Sequence, residues 1–311
     1  MSEIEETIIG IGKDVLVSLV ILGIILGSLY AFSGRWPPMV VIESGSMMHS
    51  EESQIGVIDP GDIVIVQKSE REDITTYVEG RANGYRKYGQ YGDVIIFEPD
   101  GDTRETPIIH RTVLYLEEND SAFDIPTLQK LEYGTDWDTS DGNNYYSLDG
   151  TVTIYDYGHQ NEDLEIDLSD LTQGGYITKG DNNDEIDQTS VRRLSSPVKE
   201  EWIKGRARGE LPWFGIIKLL YLGRTEHIPR NSWNNFMISI AIILLIPVIA
   251  EVGSKIYHEI VGKKDEKNID KDSSKEIEYG EDEEEDITPR IGKSRRTDSD
   301  LNSEKTEKKE E

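Results

Sequence analysis

An unbroken apolar run from Val15 to Phe32 carries no charged residue. It is long enough to cross a bilayer, for which roughly 17–25 helical residues at about 1.5 Å each suffice. A second run, Phe236 to Ala250, is also uncharged and is bounded by Trp233 and Glu251. It is short for a span and contains Pro247, yet so apolar a helix is hard to bury in a soluble core just before a highly charged tail. Two transmembrane helices, 15–33 and 236–252, are therefore expected, with the folded domain strung between them. Ala31-Phe32-Ser33 has the small-x-small form of a signal-peptide cleavage site. The run, however, exceeds the usual apolar stretch of about 7–15 residues in such peptides. Its leading flank has Glu3, Glu5, Glu6 and Asp14 against Lys13 alone, so an uncleaved anchor is expected.

Between the two runs the pattern is that of strands. Val40-Val41-Ile42, Ile63 to Val66, Val94 to Phe97 and Ile108 to Leu116 are short β-branched stretches, punctuated by Asp59-Pro60-Gly61-Asp62 and Tyr91-Gly92-Asp93. Residues 117–172 are acidic, rich in tyrosine and weakly patterned, with Thr151 to Tyr155 the clear strand candidate, and read as an insertion decorating the domain. Tyr176-Ile177-Thr178 is one more strand before a Gly180-Asp181 loop. The expected fold is mainly β: an antiparallel domain over 36–211, anchored by two transmembrane helices. Arg35-Trp36-Pro37-Pro38 should supply an interfacial aromatic and stop the first helix. Pro212 to Leu222 fits equally a core helix or a helix lying on the membrane surface, and 212–233 is taken as an interfacial segment. Lys255, Lys263 and Lys264 follow the second run, which favours a cytoplasmic C-terminus. Residues 1–14 and 253–311 are then cytoplasmic and the β-domain lies outside. The tail, acidic at every position from Glu281 to Asp286, is expected to be disordered.

The chain of 311 residues has 61 acidic and 33 basic side chains, a formal charge of −28. A nucleic-acid partner would need the opposite sign and is excluded on charge. From Lys263 onward 18 acidic and 12 basic residues supply −6, leaving −22 on the part that folds. Such a surface repels itself over a Debye length of about 10 Å at 0.1 M salt, and this is the composition expected of a halophilic host with concentrated internal or external salt. The absence of cysteine rules out a disulfide, a thiol nucleophile and a thiolate metal site. Five scattered histidines show no H-x-x-x-H spacing, so neither a metal nor a cofactor is expected.

Ser44-Gly45-Ser46-Met47 begins about a dozen residues after the first apolar run. A serine so placed works near the membrane surface, which suits a peptide emerging from the bilayer better than a soluble substrate. Ser46 lies in a Gly-containing turn that exposes its hydroxyl, and a serine becomes a nucleophile when a base takes its proton and donors stabilise the oxyanion. His110 is the candidate base, and His49, three residues from Ser46, is its rival. Asp181 and Asp187 each read either as a turn-former or as a carboxylate that orients the imidazole. Taken singly, the serine tetrad reads more readily as a plain loop and His110 as a structural strand residue.

Their order and surroundings resemble type I signal peptidase, in the form found in archaea and the endoplasmic reticulum. The matching blocks are the anchor before Ser44-Gly45-Ser46-Met47, then Gly61-Asp62-Ile63-Val64, Gly92-Asp93-Val94-Ile95, His110-Arg111, and Thr178-Lys179-Gly180-Asp181-Asn182-Asn183 with Asp187. They cover Val40 to about Asp187 less the insertion. The resemblance implies a Ser46 nucleophile, a His110 base where bacterial relatives carry lysine, and Asp187 as the orienting acid. It implies supporting roles for Asp181 and, in the oxyanion hole, for Ser44. The implied substrates are exported preproteins cut after small residues, with membrane lipid and the Sec translocon close by. A serine protease maturing other membrane or surface proteins, and an inactive surface-facing binding module, are the alternatives. Met48-His49-Ser50 stands where the family usually has a proline shortly after the Ser-Met pair, and the roughly 60 residues between the His and Gly-Asp blocks are long for the endoplasmic-reticulum members.

Overall fold

In the computed structural model, which describes residues 3–189 and 194–278, each of the β-branched runs forms a strand, and further strands lie outside them. The chain divides into two compact units, Met1–Leu244 and Leu245–Glu311. Helix α1 spans Glu3–Ser33. Its end is made by Gly34, which takes φ +66° and donates its N–H to Tyr30 O at 2.8 Å, a left-handed cap that a side-chain-free residue adopts without strain. The helix therefore stops before Arg35-Trp36-Pro37-Pro38, the segment expected to stop it.

Strand β1 (Met39–Val41) leads into β2 (Ile63–Gln67). The short helix α2 (Tyr77–Asn83), capped by Thr76 and closed by Gly84, precedes the two-residue strands β3 (Arg86–Lys87) and β4 (Gln90–Tyr91). Strands β5 (Val94–Phe97) and β6 (Ile108–Asn119) follow, then β7 (Ala122–Asp124), β8 (Trp137–Thr139), β9 (Thr151–Tyr157) and β10 (Glu162–Asp167). Strands β11 (Gly175–Lys179) and β12 (Ile203–Leu211) complete the sheets. The main sheet runs β1-β2-β12-β5-β6-β11, with β7 paired to the end of β6. Each of these pairings is antiparallel.

Strand β12 sits at the centre of the main sheet yet reads Ile-Lys-Gly-Arg-Ala-Arg-Gly-Glu-Leu, with no β-branched run to announce it. Its polar face is held by charge. Lys204 pairs with Glu98, and Arg206 and Arg208 lie 3.6 Å from the two oxygens of buried Asp93. Gly205, at φ +150°, passes so close to Gln67 O that no side chain fits there. An antiparallel strand is usually signalled by apolar residues alternating with polar ones; in β12 the alternate positions are Gly205, Ala207 and Gly209, and ion pairs hold the other face.

The 117–172 insertion is no mere decoration. Strands β8, β9 and β10 form a second sheet in the order β10-β9-β8. Its Trp137, Val152, Ile154, Leu164 and Ile166 share one buried core with Val113, Leu114 and Ile177 of the main sheet. Val152 and Ile154 alternate with half-buried Thr151, Thr153 and Tyr155, and Leu164 and Ile166 with exposed Asp163, Glu165 and Asp167, so both strands are amphipathic.

Helix α3 (Ile216–Leu222) buries Ile216 and Leu219 against Ile228 and leaves Ile217, Leu220 and Tyr221 exposed. It thus has both a core face and an outward apolar face. Helix α4 covers Arg230–Glu278, with Pro247 inside it. The stretches Ile9–Ser33 (25 residues) and Arg230–His258 (29 residues) are long and apolar enough to cross a membrane, and none of the apolar window of either is buried. Residues 253–278, expected to be disordered, continue α4 as helix: their Glu and Lys residues are good helix formers, and extension from an existing helix avoids the cost of nucleation. The rest of the tail, 279–311, lies outside the described residues.

Candidate active site

Ser46 lies in the loop after β1, in a turn that Met48 N–H closes onto Gly45 O at 3.2 Å. The neighbouring side chain, Met47, is 1% exposed and packs with Ile42, Ile58 and Val64, which anchors the turn and leaves Ser46 half-buried on its outer side. His110 projects from β6, between β5 and β11, and is fixed by register opposite Ile95. Asp187 follows β11 and is tied back to it by its own N–H, which donates to Thr178 O at 2.8 Å.

These elements bring together three residues that lie 64 and 77 positions apart in the chain. Ser46 Oγ is 3.0 Å from His110 Nε2, and His110 Nδ1 is 2.6 Å from Asp187 Oδ2. Asp187 Oδ2 also accepts the Thr178 hydroxyl at 2.8 Å, and that hydroxyl accepts Gln188 Nε2 at 3.1 Å. An oxygen that accepts from Thr178 accepts from Nδ1–H as well, which leaves the Nε2 lone pair directed at the Ser46 hydroxyl. His110 and Asp187 are 8% and 3% exposed, so water competes little for these bonds. Ser44 Oγ stands 3.3 Å from Ser46 Oγ.

Asp181 is not part of this chain of bonds. Its carboxylate is gripped by Arg111, Nε to Oδ1 at 2.7 Å and Nη2 to Oδ2 at 2.6 Å, and by His49 Nε2 at 2.9 Å. Burial would push the Asp181 carboxyl up, but the Arg111 guanidinium and His49 outweigh it and hold the group well below the usual carboxylate range. Burial likewise opposes the Arg111 charge, and Asp181 more than compensates. The remaining Arg111 donors reach the carbonyls of Lys87, Tyr88, Tyr91 and Gly92, so one buried cation ties the β3–β4 hairpin to the Asp181 loop. His49, the rival base, thus faces Asp181.

Three contributors are not legible as such in the sequence. Arg111 reads there only as the neighbour of His110, although a strand sends successive side chains to opposite faces and so delivers both a base and a structural cation. Gly180 lies against the site: a Cβ there would stand 2.7 Å from Ser46 O and 2.9 Å from His110 Nε2. Asn182 donates its N–H to Ser46 O at 2.8 Å and its side-chain amide to Gly45 O at 3.1 Å. The Gly180-Asp181-Asn182-Asn183 block carries the signal for these last two.

Among the described residues no group of three or more His, Cys, Asp or Glu side chains is placed to hold a metal ion. Compared with models of known protein families the sequence matches none, and a search among curated proteins likewise finds no match.

Proposed function

We propose that the chain is a membrane-bound serine endopeptidase that removes N-terminal signal peptides from exported preproteins. The observation that carries the hydrolytic part is the run of bonds from Ser46 through His110 to Asp187, at 3.0 and 2.6 Å. Ser46 Oγ attacks the scissile carbonyl while His110 Nε2 takes its proton. Asp187 holds the imidazole in the competent tautomer and stabilises the imidazolium. The oxyanion is met by the Ser46 N–H and the Ser44 hydroxyl. The imidazolium then protonates the departing amine, and a water activated by the same His110 hydrolyses the acyl-enzyme. Protein side chains and backbone supply every catalytic group in this scheme.

The substrate class rests on the motif resemblance and on the two apolar helices, one of which ends close to Ser46 in the chain. A peptide bond at the end of an apolar segment reaches such a site without leaving the membrane surface, and small residues beside the cut suit shallow apolar pockets. In this reading the β-domain lies outside the cell membrane, near the Sec translocon, and both termini are cytoplasmic.

The decisive experiment incubates membranes carrying the chain with a labelled preprotein and compares wild type with Ser46→Ala. The variant should insert into the membrane and melt as wild type does but lose cleavage, a deficit of about 10⁶ in turnover by analogy with other triads. A variant that keeps roughly a tenth of the activity overturns the assignment of the nucleophile. Cleavage of folded surface proteins in preference to preproteins would favour a maturation protease instead.

A further inference from the structure

The loop that carries Ser46 is gripped by Asn182 on one side and by buried Met47 beneath, and a third grip comes from His49. The His49 ring does two things at once. Its Nε2 bonds Asp181 at 2.9 Å, and its face stacks on His159 with ring centroids 4.4 Å apart and planes 14° from parallel. Gly89 also lies against the ring, since a Cβ there would stand 3.0 Å from His49 Cε1. His159 belongs to the turn between β9 and β10, so it comes from the inserted sheet rather than the main one. The insertion thereby reaches a residue three positions from Ser46, although 110 positions separate the two histidines in the chain.

We propose that His49 and His159 are positioning residues for Ser46, His159 serving as a plate on which His49 stacks and His49 passing to the Ser46 loop the position set by the Asp181–Arg111 pair. This rests on Ser46 being the nucleophile. The inserted sheet then contributes to the active site without touching substrate. Burial, followed by the nearness of His49, pushes His159 below the usual histidine range, which favours an uncharged ring in the stack. His49 needs only an N–H to hold Asp181, which either charge state provides. A cleft of about 510 Å³ opens beside both rings. Removing the His159 ring would admit water to His49 rather than let the walls close over it.

The test uses the full chain in lipid vesicles, with kcat and KM on a labelled preprotein and hydrogen exchange of the segment 44–50. His159→Ala and His49→Ala should raise exchange in that segment and lower kcat by up to about 10²-fold, the cost of a misplacement near 1 Å, with KM little changed. His159→Phe keeps a flat ring and should restore most of the kcat and the protection. The double variant His49→Ala/His159→Ala should be no worse than His49→Ala alone, because the two act in series. The proposal is overturned if His159→Ala leaves both kcat and exchange within about twofold of wild type, or if His159→Phe is as impaired as His159→Ala. Should wild type cleave no preprotein, the peptidase reading fails, and the exchange data alone decide whether His159 holds the Ser46 loop.

Discussion

Two carboxylates six residues apart have different work, and substitution separates them. Asp187→Asn removes the acceptor that keeps the proton on His110 Nδ1, so turnover should fall by about 10⁴ through loss of the competent tautomer. An amide NH2 in that place donates to the Thr178 hydroxyl instead of accepting from it, so that bond is kept with its direction reversed and the thermal midpoint should move little. Preprotein cleavage and thermal unfolding on the same preparation check both halves. Asp181→Asn instead leaves fully buried Arg111 without its counter-charge, and breaking such a pair costs about 3–5 kcal/mol. Because the folded state holds the Asp181 carboxyl below its ordinary value, its stabilising contribution is complete above the usual carboxylate range and is lost as pH falls through the folded value. The stability gap between wild type and Asp181→Asn should therefore be widest near neutrality and narrow with acid. Urea unfolding between about pH 7 and about pH 3 measures it, and a gap independent of pH would place the role of Asp181 elsewhere. Ser46, His110 and Asp187 are legible as residue types in a familiar order. The roles of Arg111 and His159 are not, because a buried arginine and a histidine in a turn look in sequence like a surface cation and nothing in particular.

At the scale of elements, periodicity serves well wherever one face is buried. The β-branched runs form β1, β2, β5, β6 and β11 within a residue or two at most ends. It fails for β12, whose central place depends on Asp93 and Glu98, which flank β5, meeting Lys204, Arg206 and Arg208. No local pattern encodes a partner that lies about 100 residues away. Orientation is tested at this scale as well. With both apolar helices spanning the membrane and the termini inside, protease added to sealed right-side-out vesicles should digest the 36–233 domain and spare an epitope at the C-terminus. Loss of that epitope while the vesicles remain sealed would contradict either the second span or the orientation.

For the whole molecule, net charge governs how stability responds to salt. With −22 on the first 262 residues, self-repulsion opposes the compact state until ions screen it. The thermal midpoint should rise from about 0.15 M to about 2 M KCl and level off as the Debye length nears 3 Å. A flat or falling midpoint over that range would show that the acidic surface is already balanced by its own pairs. Charge, the two apolar helices and most strands of the main sheet could be determined from the sequence, because each is written in single residues or short windows: solvent partition and backbone sterics act locally. Only the tertiary structure decided that polar β12 lies mid-sheet, that the insertion shares the main core, and that His49 faces Asp181 and His159 while His110 faces Ser46. Each of these is a choice among distant partners, made by which burial and charge pairing the whole chain can satisfy at once.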